Sequence, residues 1–230
     1  MTTATLTELP TLFQKFQVAK NVLDRISIWN GDITKLAVDA IVNAANGRLA
    51  GGGGVDGAIH AAAGRSELQA ECRQYNGCAV GDAVITSGCK IKHIKSIHLT
   101  LYVFIFEFSE IIHTVGPQVY GSVTDEKRDN LIACYRTSLD IAIENGMKSV
   151  VGANSEKQLL NSLISQAFCC ISTGVYGYPN EDAAKTVTQF LTEFLEKDDK
   201  LERIVLVTFL DIDNQYYNNY FSKYAASKTD

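Results

Sequence analysis

Residues 38–63 constrain what this chain can fold into more than any other stretch. VDAIVNAAN (38–46) is an apolar run closing on asparagines, GGGG follows at 51–54, and VDGAIHAAA (55–63) has helical spacing. Val38 to Val42 reads as a buried strand and 55–63 as a helix. Four consecutive glycines have no side chains to hold a ligand off the backbone, and they reach positive φ values closed to most residues. A strand, a glycine loop and a helix N-terminus together aim free backbone N–H groups at an anion. The combination predicts a cradle for a phosphate or diphosphate. It is not a P-loop, because no GxxxxGK(S/T) occurs.

Around this unit, apolar runs and helical patterns alternate. Strand-like runs stand at 26–29, 38–43, 83–86, 111–115, 167–172 and 204–210, and helical patterns at 55–63, 125–145, 180–196 and 216–224. The alternation predicts an α/β fold with helices on both faces of a sheet, where ligands sit outside the carboxyl ends of strands. Loops 43–57, 172–178 and 209–213 fall there. A length of 230 residues suits one large domain. Residues 1–24, with Leu and Phe spaced as in a short amphipathic helix from about Pro10, read as an N-terminal extension to a domain over 25–224.

A net charge of −5 offers no basic field to collect nucleic acid, so an anion would be held by aimed dipoles. The N-terminal segment lacks the apolar core of a secretory signal, and it carries Glu8 and no Arg, against a mitochondrial presequence. Six cysteines without CxxC spacing read as reduced thiols of a cytoplasmic or nuclear protein. No convergent His and Cys set predicts a metal, and no other cofactor is expected. No run reaches the ~20 apolar residues of a membrane span, and nothing in the chain demands more than a monomer.

GDIT (31–34), VDAIVNAAN (38–46), GGGGVDGAIH (51–60), GDAVIT (81–86), IIHTVGP (111–117) and CISTGVYGYP (170–179), in this order, resemble the macrodomain family. Within it the chain is similar to the MacroD-type ADP-ribosyl hydrolases, from about residue 25 to about 222. The resemblance implies a three-layer α/β/α sandwich with a mixed central sheet and a cleft for ADP-ribose. It implies hydrolysis of the ester joining ADP-ribose to Asp or Glu of mono-ADP-ribosylated proteins. Enzymes of this type also deacetylate O-acetyl-ADP-ribose.

The roles implied follow the motifs. Asp32 would accept from the adenine amino group with the Ile33 backbone alongside. Gly52, Gly53, Gly54 and Val55 would cradle the distal ribose and diphosphate, and Asn46 would face that ribose. Ser172, Thr173, Gly174, Val175 and Tyr176 would wrap the diphosphate from the other side, with Phe209 near the adenine and Asp211 orienting nearby groups. Asp56 would carry catalysis by orienting water, and His60, one helical turn later, would shape the distal-ribose pocket. On residue type alone, Asp32 is a turn residue, Asp56 a favourable acid at a helix N-terminus, Phe209 plain core, Asn43 a turn residue and His113 a satisfied core histidine.

Two segments of about fifteen residues, 96–110 and 152–166, depart from the family pattern, and Cys169 stands where many relatives carry Pro. The first must leave the sheet as a loop or hairpin. The second could form a short helix through Leu159, Leu160, Leu163 and Ile164. FSE (108–110) and SQ (165–166) suit translation of a pyrimidine tract closing in CAG, so both segments also read as retained intron sequence; spliced transcripts carrying both would sink that reading. Besides a hydrolase, the sequence therefore admits a non-catalytic ADP-ribose reader and an inactive mis-spliced product.

Overall fold

Residues Ala40 to Asn43 are buried without interruption because the strand they form has helices over both of its faces. The computed structural model describes residues 4–17, 22–91, 95–99, 102–106, 110–146 and 164–228. In chain order the strands are β1 (Ala4–Thr5), β2 (Ile26–Asn30), β3 (Leu36–Ala37), β4 (Ala40–Ala44), β5 (Ala83–Ser87), β6 (Lys95–Leu99), β7 (Tyr102–Phe106), β8 (Glu110–Thr114), β9 (Ile164–Cys169) and β10 (Leu201–Thr208). The helices are α1 (Leu12–Phe16), α2 (Gly54–Ala63), α3 (Arg65–Cys72), α4 (Asp125–Glu144), α5 (Asn180–Leu195) and α6 (Asp211–Ser227).

Six strands form the central sheet in the order β2–β10–β9–β4–β8–β5. All neighbours are parallel except β5, which runs antiparallel to β8. Register assigns the faces, since paired residues share a side and successive ones alternate. Asn43 pairs with His113 on one face, and α2 docks there through Asp56. Val42 pairs with Phe168 on the other, where Tyr135 of α4 stacks on Phe168 at 4.8 Å between ring centroids. The result is the mixed-sheet α/β sandwich that the sequence predicts, with helices in both outer layers.

Strand β9 begins at Ile164, three residues before the AFCC run that marks it in the sequence. Ser165 and Gln166, assigned above to the second extra segment, are instead buried in the sheet. Partners far away in sequence make this possible. The Asp39 carboxylate accepts from Ser165 N at 2.8 Å and Ser165 Oγ at 2.6 Å, and Gln166 Nε2 donates to Ser138 O at 3.1 Å. Ile164, the last residue of the helix expected there, instead opens β9, and the rest of that segment, with Leu159, Leu160 and Leu163, lies outside the described residues. In the first extra segment, β6 and β7 form an antiparallel pair separate from the main sheet, with Leu99 opposite Tyr102. Glu110, counted with that segment, already belongs to β8.

Three further elements differ from expectation. The short helix expected from about Pro10 is α1, but ahead of it β1 pairs with β3, and Leu9, Leu12 and Leu23 join the domain's core. Helix α3 escapes the sequence pattern because it buries little besides Leu68 and Cys72. Helix α6 starts at Asp211, five residues early, so the third predicted loop shrinks to Phe209 and Leu210. Among the described residues, no helix is long and apolar enough to cross a membrane.

Candidate functional site

The carboxyl ends of β2, β10, β9 and β4 lie side by side along one edge of the sheet, and the predicted site residues leave from them in that order. At the β4 end, Gly53 is the N-cap of α2, which places Asp56 in the first turn of the helix. The carboxylate is buried and held from two sides. Its Oδ1 accepts from Asn43 Nδ2 at 2.7 Å, and its Oδ2 accepts from the Gly52 N–H. Gly57 is required at the next helical position, because a Cβ there would sit 2.6 Å from the Gly52 carbonyl oxygen. His60 packs behind the acid, with Nε2 3.5 Å from Asp56 Oδ1 and its ring under Gly51. Asn46 folds back on its own turn: Oδ1 accepts from Arg48 N at 3.1 Å and Ala50 N at 3.3 Å, and Nδ2 donates to Ala50 O.

The loop after β9 faces this one. Ser172 has φ +66°, and its buried hydroxyl has no partner among the described residues. Gly177 N to Gly174 O (3.0 Å) and Tyr178 N to Ser172 O (3.0 Å) close the loop, and Thr173 Oγ1 donates to Cys170 O at 3.4 Å. A bond from Val119 N to Tyr176 O at 2.8 Å ties it to the segment after β8. Gly116 in that segment is a residue the sequence reading passed over. A Cβ on it would fall 2.0 Å from Ser172 Oγ, so only glycine lets the loops approach. Between them lies a cavity of about 280 Å³ lined by Asn46, Gly52, Gly53, Gly54, Val55, Asp56, Gly116, Ser172, Gly174, Val175 and Tyr176 among others. Val175 is 95 % exposed at its rim.

Asp32, Ile33 and Phe209 do not line this cavity. They follow the two neighbouring strands, where Thr208 pairs with Asn30. Asp32 Oδ1 caps a short 3-10 turn by accepting from Thr34 N at 3.0 Å and Thr34 Oγ1 at 2.7 Å, and Ile33 is buried. Phe209 is 86 % exposed, which is not a core position. Asp211 begins α6 and accepts from Asn30 Nδ2 at 3.5 Å.

Asn43 is not the turn residue it resembles in sequence. It lies within β4, wholly buried, and bridges Asp56 to His113, whose Nδ1 is 3.0 Å from Asn43 Nδ2. Burial and the neighbouring His60 push the His113 pKa down to about 4, with Glu71 acting the opposite way. Unfolded imidazole titrates near 6.5. Between those values the unfolded chain takes up a proton that the folded chain refuses. Stability from this group is therefore complete above pH 6.5 and is lost as pH falls toward 4. The expected loss is about 3 kcal/mol between pH 7 and pH 4. Urea unfolding across that range measures it against His113→Leu, whose profile should lack this component; identical slopes in both proteins would refute the assignment.

All six cysteines are pushed above the ordinary thiol range, burial being the first cause in each. Cys72 and Cys78 reach about 11 and Cys169 about 12, and Cys89, Cys134 and Cys170 move the same way. None offers a thiolate nucleophile at neutral pH. Among the described residues, no group of three or more His, Cys, Asp or Glu could hold a metal ion.

Residues 42–187 match the family model described as Macro domain. The chain is 40% identical over 215 residues to the ADP-ribose glycohydrolase MACROD2 of Xenopus laevis, covering 91% of this chain and 44% of that protein. It is 42% identical over 213 residues to the ADP-ribose glycohydrolase MACROD1 of Rattus norvegicus, covering 91% of this chain and 69% of that protein. It thus spans about half the length of the curated relatives it matches. The Trypanosoma brucei macrodomain, solved in complex with ADP-ribose, superposes with a TM-score of 0.72 at 32% identity, over 95% of this chain and 77% of that one. A family-model match over residues 42–187 and identities of 40–42% along 91% of the chain leave one conclusion: the chain belongs to the macrodomain family.

Proposed function

We propose that the cleft binds ADP-ribose and that the protein hydrolyses the ester joining ADP-ribose to Asp or Glu of modified proteins. O-acetyl-ADP-ribose carries the same kind of ester and is proposed as a small substrate, and the cytoplasm or nucleus as the setting. The observation that carries this reading is the order of groups along the sheet edge. Asp32 and Phe209 follow β2 and β10, the Ser172–Tyr176 loop follows β9, and the glycine loop with Asp56 follows β4. Three strand spacings of ~4.8 Å make about 14 Å, a span bridged by adenosine diphosphate with a second ribose but not by a lone phosphate. The relatives named for ADP-ribose hydrolysis and the neighbour solved with ADP-ribose support the same ligand.

In this reading Asp32 accepts from the adenine amino group beside the Ile33 backbone, and Phe209 covers the adenine side. The two loops hold the diphosphate through backbone N–H groups, without bulk positive charge. The distal ribose lies by Asn46 and Asp56. A water held between the Asp56 carboxylate and the diphosphate attacks the ester, which parts into free ADP-ribose and the carboxylate of the protein. The gain comes from positioning and from dipoles already in place. No covalent enzyme intermediate is needed.

The test is incubation with a protein mono-ADP-ribosylated on glutamate, with free ADP-ribose read by mass spectrometry and ADP-ribose affinity by calorimetry. Binding with release is expected. Binding without release would make this chain a reader, and soluble protein doing neither would reject the cleft.

A further inference from the structure

We infer that His113, set in a single neutral tautomer by the Asn43 amino group and paired at its other nitrogen by Thr86, is a positioning residue for Asp56. This rests on the hydrolase reading and goes beyond it. Thr86, His113, Asn43 and Asp56 are all buried, and their polar atoms form one line: Thr86 Oγ1 to His113 Nε2 at 2.9 Å, His113 Nδ1 to Asn43 Nδ2 at 3.0 Å, and Asn43 Nδ2 to Asp56 Oδ1 at 2.7 Å.

The direction of each bond follows from the one before it. A carboxylate only accepts, so Asn43 must turn its amino group toward Asp56. The second hydrogen on that nitrogen points at His113 Nδ1, which must accept and therefore carries no proton. The proton of the neutral ring is then on Nε2, and it donates to Thr86 Oγ1. Asn43 Oδ1 is buried without a partner among the described residues, so the carbonyl side contributes nothing to the orientation of the amide. Its orientation depends on its amino side alone, shared between Asp56 and His113.

The opposite tautomer would set the N–H of Nδ1 against the amino group of Asn43. Turning the amide to relieve that clash would bring its carbonyl against the Asp56 carboxylate. Either arrangement loosens the acid that directs water. The Thr86 hydroxyl accepts from the Nε2–H of the favoured tautomer, and its loss would leave that N–H buried without an acceptor; it is on β5, an edge strand, and neither Thr86 nor His113 lines the cavity. The charged and titratable groups around the ring are His60, at 6.3 Å between ring centroids, Cys72, with Sγ 3.9 Å from Nε2, Glu71, and Asp56 through Asn43.

Thr86→Val keeps the shape and removes the hydroxyl, and Thr86→Ser keeps the hydroxyl. Turnover of the glutamate-linked substrate is expected to fall about ten- to hundred-fold in Thr86→Val, since small misplacements of a reacting group cost this much. KM and ADP-ribose affinity should stay within about two-fold, and Thr86→Ser should turn over like the wild type. Nitrogen-15 shifts of His113 read the tautomer directly: a protonated Nε2 and bare Nδ1 in the wild type, with the bare Nδ1 signature lost or mixed in Thr86→Val. Unchanged turnover in Thr86→Val overturns the proposal, as does a wild-type ring protonated on Nδ1. Equal losses in the Val and Ser variants, with weakened ADP-ribose binding, would reduce Thr86 and His113 to plain packing and also overturn it. A wild type that binds ADP-ribose without releasing it would instead remove the hydrolase reading, and the nitrogen shifts would still decide the tautomer.

Discussion

Asp56→Ala is expected to slow release of ADP-ribose from a glutamate-linked substrate by about 10²–10⁴-fold, the usual contribution of a positioned acid or base. The carboxylate is the ionisable oxygen group that the cavity, the strand and the glycine loop bring to one point. It lines the cavity, and Asn43 and Gly52 each donate to one of its oxygens. Alanine leaves both donors empty, so the loop loosens and ADP-ribose affinity should also drop, by less than about ten-fold for one lost tie. Asp56→Asn should do no better despite its shape. One of its two edges must set an N–H against either the Gly52 N–H or the Asn43 amino group. Single-turnover release and calorimetry on the same protein separate the two effects. A kcat reduced less than about five-fold would move the catalytic role away from Asp56, and equal losses in kcat and affinity would make the residue a structural strut.

The largest effect on stability is expected at a residue outside the cleft. Asp39→Ala should cost about 3–5 kcal/mol, because two hydrogen bonds to a buried carboxylate are each worth about 1.5–3 kcal/mol. Both come from Ser165, through its N–H at 2.8 Å and its hydroxyl at 2.6 Å. Without the carboxylate two buried donors lose their acceptor at the start of β9, the strand that carries the Ser172 loop. Both bonds end on Oδ2, so Asp39→Asn can keep that acceptor while losing its charge, and should cost roughly half as much. Urea titration reads this as a lower midpoint with an unchanged slope. A shift under about 1 kcal/mol would mean that β9 is anchored by its apolar residues alone.

Much of this arrangement was legible from spacing alone. The long parallel strands announce themselves as apolar runs, and α4 as a helical pattern over 125–145. The glycine loop was legible because few other roles suit four glycines before a helix. What escaped was polar and depended on distant partners. Ser165 and Gln166 look like loop residues until Asp39 and Ser138 are brought to them. Asn43 looks like a turn residue until parallel register sets it beside His113, seventy positions later. Gly116 matters because Ser172 arrives from another strand. Phe209 misled in the other direction, since an aromatic closing an apolar strand is usually core and here stands in solvent.

Thiols react with peroxides and alkylating agents as thiolates. Burial raises the pKa of every cysteine of this chain, Cys169 and Cys170 at the foot of the second loop included, so less thiolate is offered to such reagents than at a free thiol. The proposed hydrolysis draws on no thiolate, so it should tolerate alkylating agents and peroxide better than a reaction that depends on a reactive cysteine.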